Sequence, residues 1–190
     1  MKGFQWFRHR YEPTPPRPWT PAAQQAVERL HRNDVNWREL VMEYAPPHTV
    51  LRYLFANDLI HPTDADPITY MALYTAQQQY ETLEYLTSEL QIDMNLQNAR
   101  TGNTALMVYM KMVYENSGYH HQVMTHAEYR DYLRESLRRI QWYLRWGSDP
   151  LLENRVGESA MSLARSLSET QSHVPEDHRR QLLILLELYC

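Results

Sequence analysis

The chain has 190 residues and a single cysteine, Cys190, so it holds no disulfide framework of its own, and a reducing compartment, the cytoplasm, is the expected location. Glycine is almost as scarce, with 5 residues, and so little turn punctuation disfavours a many-turned β-sandwich. No apolar run approaches the ~20 residues of a membrane-spanning helix, so no membrane contact is expected. Residues Met1 to Arg10 contain no continuous apolar segment of the kind a secretory signal uses. Cys190 stands last rather than four residues from the end, which does not fit a prenylation box. A Gly-rich phosphate loop, a nucleophile elbow and a CxxC pair are all missing. Positive charge is not in excess either: 19 Lys and Arg face 23 Asp and Glu, a formal net charge of -4, which argues against nucleic acid as a partner. These absences lead to the expectation of a protein that is not an enzyme and carries no cofactor or metal.

What is present is ordinary for a globular chain, 43% hydrophobic and 22% charged, with an aromatic bias. There are 14 Tyr and 5 Trp against 3 Phe. Tyr and Trp bury apolar area while keeping one polar atom to satisfy, a property suited to contact surfaces. Charge is uneven along the chain. Residues 1–40 carry seven Lys or Arg against four acids, whereas 41–100 carry eight acids against Arg52 and Arg100. A solvated helix surface accounts for this more simply than a dedicated acidic face.

Residues 1–20 read as an extended arm. Pro13, Pro15, Pro16 and Pro18 remove backbone donors, and Phe4, Trp6, Phe7, Tyr11 and Trp19 need cover from the body or a partner. Residues 21–190 read as one helical domain. Thr20-Pro21 and Asp66-Pro67 each combine a helix cap with proline at the first helical position. Helices are expected over about 36–44 and 48–57, the first stopped by Pro46-Pro47. Another carries Tyr80, Leu83, Leu86 and Leu90 at helical spacing. The clearest start is the capping box Thr125-His126-Ala127-Glu128, followed by a stripe of Tyr129, Leu133, Leu137, Ile140 and Leu144 that ends at Gly147. A last helix starts near Pro175-Glu176-Asp177 and contains Leu182, Leu183, Ile184, Leu185, Leu186 and Leu188. No strand is expected.

Two segments look alike. One runs from Asp93 through Gly102-Asn103-Thr104-Ala105-Leu106, the other from Asp149 through Gly157-Glu158-Ser159-Ala160-Met161. In each, an acid and a polar loop lead to a reversing glycine, and a hydroxyl two residues later caps the next helix. The pattern resembles ankyrin repeats, helix pairs joined by a projecting turn, with Gly147-Ser148-Asp149-Pro150 at the place where a repeat ends. The resemblance covers roughly 65–190, with a weaker first unit from Thr69 and Ala76 in the small-residue slot. It departs from the family in three ways. The family's Thr-Pro-Leu-His is Thr104-Ala105-Leu106-Met107 and Ser159-Ala160-Met161-Ser162 here, without the proline or the histidine. The first loop is one residue longer. The step from Thr104 to Ser159 is 55 residues, so about 22 residues are inserted relative to a repeat of about 33, expected within 114–134.

The resemblance implies an all-α solenoid whose turns and inner helices bind a protein. Carried over by position, the turn residues are Gln97, Asn98, Arg100, Thr101, Asn154, Arg155 and Val156. The inner-helix residues are Tyr74, Gln77, Gln78, Tyr109, Met112 and Arg165, and Tyr114, Tyr119, His120 and His121 of the insertion form an added lip. Core filling is the competing role for these tyrosines. Other clusters read as structural. His120, His121 and His126 straddle a loop and a helix start and lack the spacing of a metal site. Asp64 and Asp66 fit helix capping. Arg130, Arg134, Arg138 and Arg139 are interleaved with Glu128, Asp131 and Glu135 as a salt-bridged outer face rather than a nucleic-acid patch.

The last helix is too apolar for one-sided packing. Cover by the chain itself, giving a monomer, is the expectation, with a homodimer through this helix as the alternative. A protein binder that inhibits or sequesters one partner is the function this sequence fits, such as a bacterial immunity protein that neutralises a toxin. The alternatives are a microbial or viral effector engaging a host protein and, as a separate class, an enzyme using the 114–134 insertion.

Overall fold

The computed structural model describes residues 91–190 and, before them, residues 28, 61, 87 and 88 alone; the side chains of 168 and 170 are not described. The arm at 1–20, the helices expected at 20–90, the caps at Asp64 and Asp66 and the positions Tyr74, Gln77 and Gln78 lie outside the described residues. The region from 91 onward is all-helical, with five helices: α1 (Ala105–Glu115), α2 (Ser117–Val123), α3 (His126–Arg145), α4 (Ala160–Thr170) and α5 (Glu176–Glu187). Among the described residues no helix is long and apolar enough to cross a membrane.

Hydroxyl caps start three of these helices. The Thr104 side chain accepts from the Met107 N–H, leaving one fewer orphan donor at the start of α1. Thr125 and Glu128 form the full capping box that opens α3, with Glu128 accepting from the Thr125 N–H at 2.8 Å. These bonds to Thr125 hold the Glu128 carboxyl below its usual range. Ser159 and Ser162 form a second capping box on α4, of which only the Ser159 hydroxyl is legible in the sequence. α5 instead carries Glu176 and Asp177 in its first turn, where the helix dipole favours negative charge.

The helices pack as two pairs. α1 contacts α3 and α4 contacts α5, while α1 also lies on α4 and α3 on α5. Their shared surfaces form one core. Leu106, Met107, Met110 and Val113 come from α1, Leu133, Ile140 and Leu144 from α3, Met161, Ala164 and Leu167 from α4, and Leu182 and Leu186 from α5. Ala105, Ala160 and Ala164 are small side chains at buried positions, which lets α1 and α4 approach closely. Of the expected α3 stripe, Tyr129, Leu133, Ile140 and Leu144 are buried and Leu137 is half-buried.

Residues 114–134, where the insertion is expected, hold the end of α1, all of α2 and the start of α3. α1 and α4 both have 11 residues. The seven-residue α2 lies in the connection from α1 to α3, and α3 itself has 20 residues against 12 in α5. On α5, Leu182 and Leu186 are fully buried, whereas Ile184 is 52% exposed and Leu188 74% exposed.

Candidate partner-binding surface

Two loops, 91–103 and 148–158, are built around equivalent asparagines. The Asn98 side-chain oxygen accepts from the N–H groups of Arg100 at 3.0 Å and Thr101 at 2.9 Å. The Asn154 oxygen accepts from Val156 at 3.0 Å and Glu158 at 2.9 Å. Each loop closes through the same asparagine's backbone, Asn98 N–H to the Asn103 carbonyl (2.9 Å) and Asn154 N–H to the Glu158 carbonyl (2.7 Å). The span 98–103 against 154–158 shows the first loop to be one residue longer. Gly102 and Gly157 follow with φ of 75° and 78°, the left-handed region that a side chain enters only with strain.

The loops are also bonded to one another. The Arg155 N–H donates to the Thr101 carbonyl at 3.2 Å. Asn154 Nδ2 donates to Asn103 Oδ1 at 2.7 Å and Gln97 Nε2 to the Glu153 carbonyl at 2.7 Å. Nearer the helices, Asn95 Nδ2 donates to the Gly147 carbonyl at 2.9 Å and Asn95 Oδ1 accepts from the Asp149 N–H at 2.7 Å. Lys111 on α1 reaches Glu158 Oε2 at 2.6 Å. Hydrogen bonds from Lys111 and then Asn154 hold the Glu158 carboxyl below its ordinary range. Two neighbouring loops are thereby set at fixed spacing with few bonds left to form.

This lock exposes some of the sequence-derived site residues and removes others. Gln97, Arg100, Arg155, Val156, Tyr119, His121 and Arg165 are exposed, and Asn98, Thr101, Met112 and His120 are half-buried. Val156 is the most open of the large apolar side chains here at 77%. Tyr109, Tyr114 and Asn154, expected at the contact surface, are buried. Both tyrosines are 3% exposed, and Tyr109 packs its ring against Tyr143 at 5.6 Å. Tyr114 meets His178 Nε2 at 3.0 Å. Asn154 spends its amide inside the loop lattice.

Between α1 and α4 lies a groove of about 270 Å³, floored by Met110, Leu163 and Leu167 and edged by Lys111, Glu158 and Gln171. A second hollow of about 300 Å³ lies between α1 and α3, with Met112, Tyr132, Glu135 and Arg139 on its walls. The arginine row on α3 is paired along its own helix, Arg134 with Asp131 at 3.2 Å and Arg139 with Glu135 at 3.1 Å. Arg134 and Asp131 are solvated, and such a pair contributes little to stability, whereas the Arg139 side chain is only 17% exposed and lines the hollow between α1 and α3.

The histidines divide. His120 packs on Tyr132 with ring centres 4.6 Å apart, while His121 sits edge-on to Tyr129 at 5.1 Å and neighbours His126 and His173. Among the described residues no group of three His, Cys, Asp or Glu is placed to hold a metal ion. Ser117 and His173 form a pair absent from the sequence reading, Oγ to Nε2 at 2.7 Å. Ser117 is fully buried and also donates to the Tyr114 carbonyl, so the pair pins α2 to the link between α4 and α5 and presents no nucleophile to a substrate. Burial, and then His121 nearby, lower the His173 pKa.

The loop lattice is testable through Asn154. Asn154→Ala removes four side-chain hydrogen bonds and is expected to lower unfolding stability by about 2–3 kcal/mol in urea. Asn154→Asp keeps the acceptor for Val156 and Glu158 but loses both donors and faces the Glu158 carboxylate. An aspartate variant as stable as the wild type would show that the bonds between the loops contribute nothing. Comparison with protein-family models, with curated proteins and with solved structures finds no match to this chain.

Proposed function

We propose that this chain is a degenerate ankyrin-like repeat protein that recognises another protein through its stacked turns and the groove between α1 and α4. In this reading it acts by occluding its partner, as an immunity protein neutralises a toxin. The observation that carries the reading is the locked pair of loops, with Arg100, Arg155 and Val156 exposed on a frame of mutual hydrogen bonds. A contact surface ordered before binding loses little conformational entropy on association. Arginine is among the residue types that most often dominate interface energy. The stacking of α1 on α4 and of α3 on α5, with equivalent glycines and hydroxyl caps 55 residues apart, supports the repeat architecture.

The test is affinity capture from the native cell with mass spectrometry, using wild type and the triple variant Arg100→Ala, Arg155→Ala, Val156→Asp. The expected result is one protein enriched by the wild type and depleted at least tenfold by the variant, whose circular dichroism stays native. A partner encoded by the same genome supports neutralisation, and a protein of another organism supports an effector role. Equal capture by both forms sinks the proposed surface.

A further inference from the structure

α5, the last of the described helices, leaves Ile184 and Leu188 exposed on its outer side. Its inner face is spent on the core, through His178, Leu182 and Leu186. On the other side, positions 177, 181, 184 and 188 follow one another at spacings of four, three and four, the repeat that keeps a helix seam facing a partner helix. Asp177 and Gln181 are exposed and polar, while Ile184 and Leu188 are exposed and apolar. Two charged side chains flank this seam on one side, Arg180 and Glu187, seven residues apart, both exposed.

We propose that α5 is a self-association surface on which two copies of the chain pair antiparallel about a two-fold axis close to Ile184. A two-fold interface must be complementary to itself. In an antiparallel pair, Ile184 meets Ile184 of the second copy, and Arg180 comes to lie beside Glu187 of that copy at both ends of the seam. In a parallel pair the two-fold axis runs along the helices and puts these flanking residues of the two copies on opposite sides of the seam, so Arg180 does not meet Glu187. The charge pattern thus selects the second copy and its direction together. Arg180 is already paired with Glu176 at 3.0 Å, but both side chains are largely exposed, at 70% and 76%, and such a pair is readily exchanged. The apolar seam is short, so the dimer is weak and concentration-dependent. This surface is separate from the loop surface, and either assignment stands without the other.

Sedimentation equilibrium of the full chain tests this from about 5 μM to about 1 mM. The expected result is a mass rising from 22.7 kDa towards twice that value. Ile184→Asp should raise the dissociation constant at least tenfold, since it buries a charge on the axis. Arg180→Glu should weaken association about fivefold, and the double variant Arg180→Glu/Glu187→Arg should return it to within about twofold of wild type. Cys190 lies six residues past Ile184, so the two Cys190 residues are roughly 18 Å apart at ~1.5 Å per residue, and oxidation should not link them. Monomer at every concentration overturns the proposal. So does a dimer indifferent to Ile184→Asp, a double variant that fails to recover, or ready cross-linking through Cys190. The substituted side chains are exposed, and circular dichroism of each variant separates lost association from lost fold.

Discussion

Gly102→Ala is expected to lower unfolding stability by about 3 kcal/mol, whereas Gly157→Ala should cost only about 1 kcal/mol, although the two glycines occupy equivalent places in similar loops. Both have positive φ, 75° and 78°, so both substitutions meet the same backbone strain. Their surroundings differ. A Cβ on Gly102 would lie 2.7 Å from the Arg155 backbone nitrogen and 3.2 Å from the Asn154 Cα. Neither of these is a side-chain end that swings aside. The second loop must retreat, and the Arg155 to Thr101 hydrogen bond is stretched with it. A Cβ on Gly157 meets nothing within 4 Å. Urea unfolding of the two variants measures the difference. Equal losses would mean that the loops are not in close contact, and the preorganised surface would lose its basis.

That asymmetry marks what was legible in the sequence. The loops and their helix starts are written locally: a glycine, a hydroxyl two residues on, and a small residue after it. The start of α3 is legible for the same reason, since Thr125 and Glu128 cap each other across one turn, and the end of α5 falls where its leucine run stops. α2 is not legible. Its seven residues, SGYHHQV, have no apolar stripe, and what holds it is distant in sequence: Ser117 to His173, and Gly118 close enough for the His173 ring to approach its position. The length of α3 is legible by contrast, because the Thr125–Glu128 capping box marks its start and Gly147, with φ of 91°, follows its end.

The candidate surface was half legible. Turn positions follow from loop chemistry, and Arg100, Arg155 and Val156 are exposed there. Tyr109 and Tyr114 carry no mark in the sequence that separates a contact tyrosine from a core one, because either fate buries the ring and satisfies the hydroxyl. For Tyr114 the deciding partner is His178, 64 residues away. The apolar excess of α5 was visible, but which of its leucines face outward depends on where α3 and α4 lie against it.

The Tyr114–His178 pair makes the protein's stability depend on pH. Burial pushes the His178 imidazole down to about 4 from an ordinary value of 6.5, and burial raises the Tyr114 phenol as well, so both are neutral near pH 7. The phenol and Nε2 share one hydrogen bond at 3.0 Å, whose direction is set by the imidazole tautomer. On unfolding, His178 recovers a pKa near 6.5. Above that pH neither state binds the proton and stability is flat with respect to this group. Below it the unfolded chain takes up a proton that the folded chain refuses, and stability falls by up to about 1.4 kcal/mol per pH unit, reaching about 3 kcal/mol in total near pH 4. The lowered His173 adds a contribution of the same sign. Glu128 and Glu158 are also held below their usual range, but their stabilisation is lost only below about pH 4.5, where the unfolded carboxylates protonate. The window from pH 6.5 to 5 therefore isolates the histidines. Urea unfolding across it should show a steep decline in the wild type and a much shallower one in His178→Gln, whose amide can still bond to Tyr114. An unchanged slope in that variant would place the proton uptake elsewhere and leave the buried pair without its assigned role.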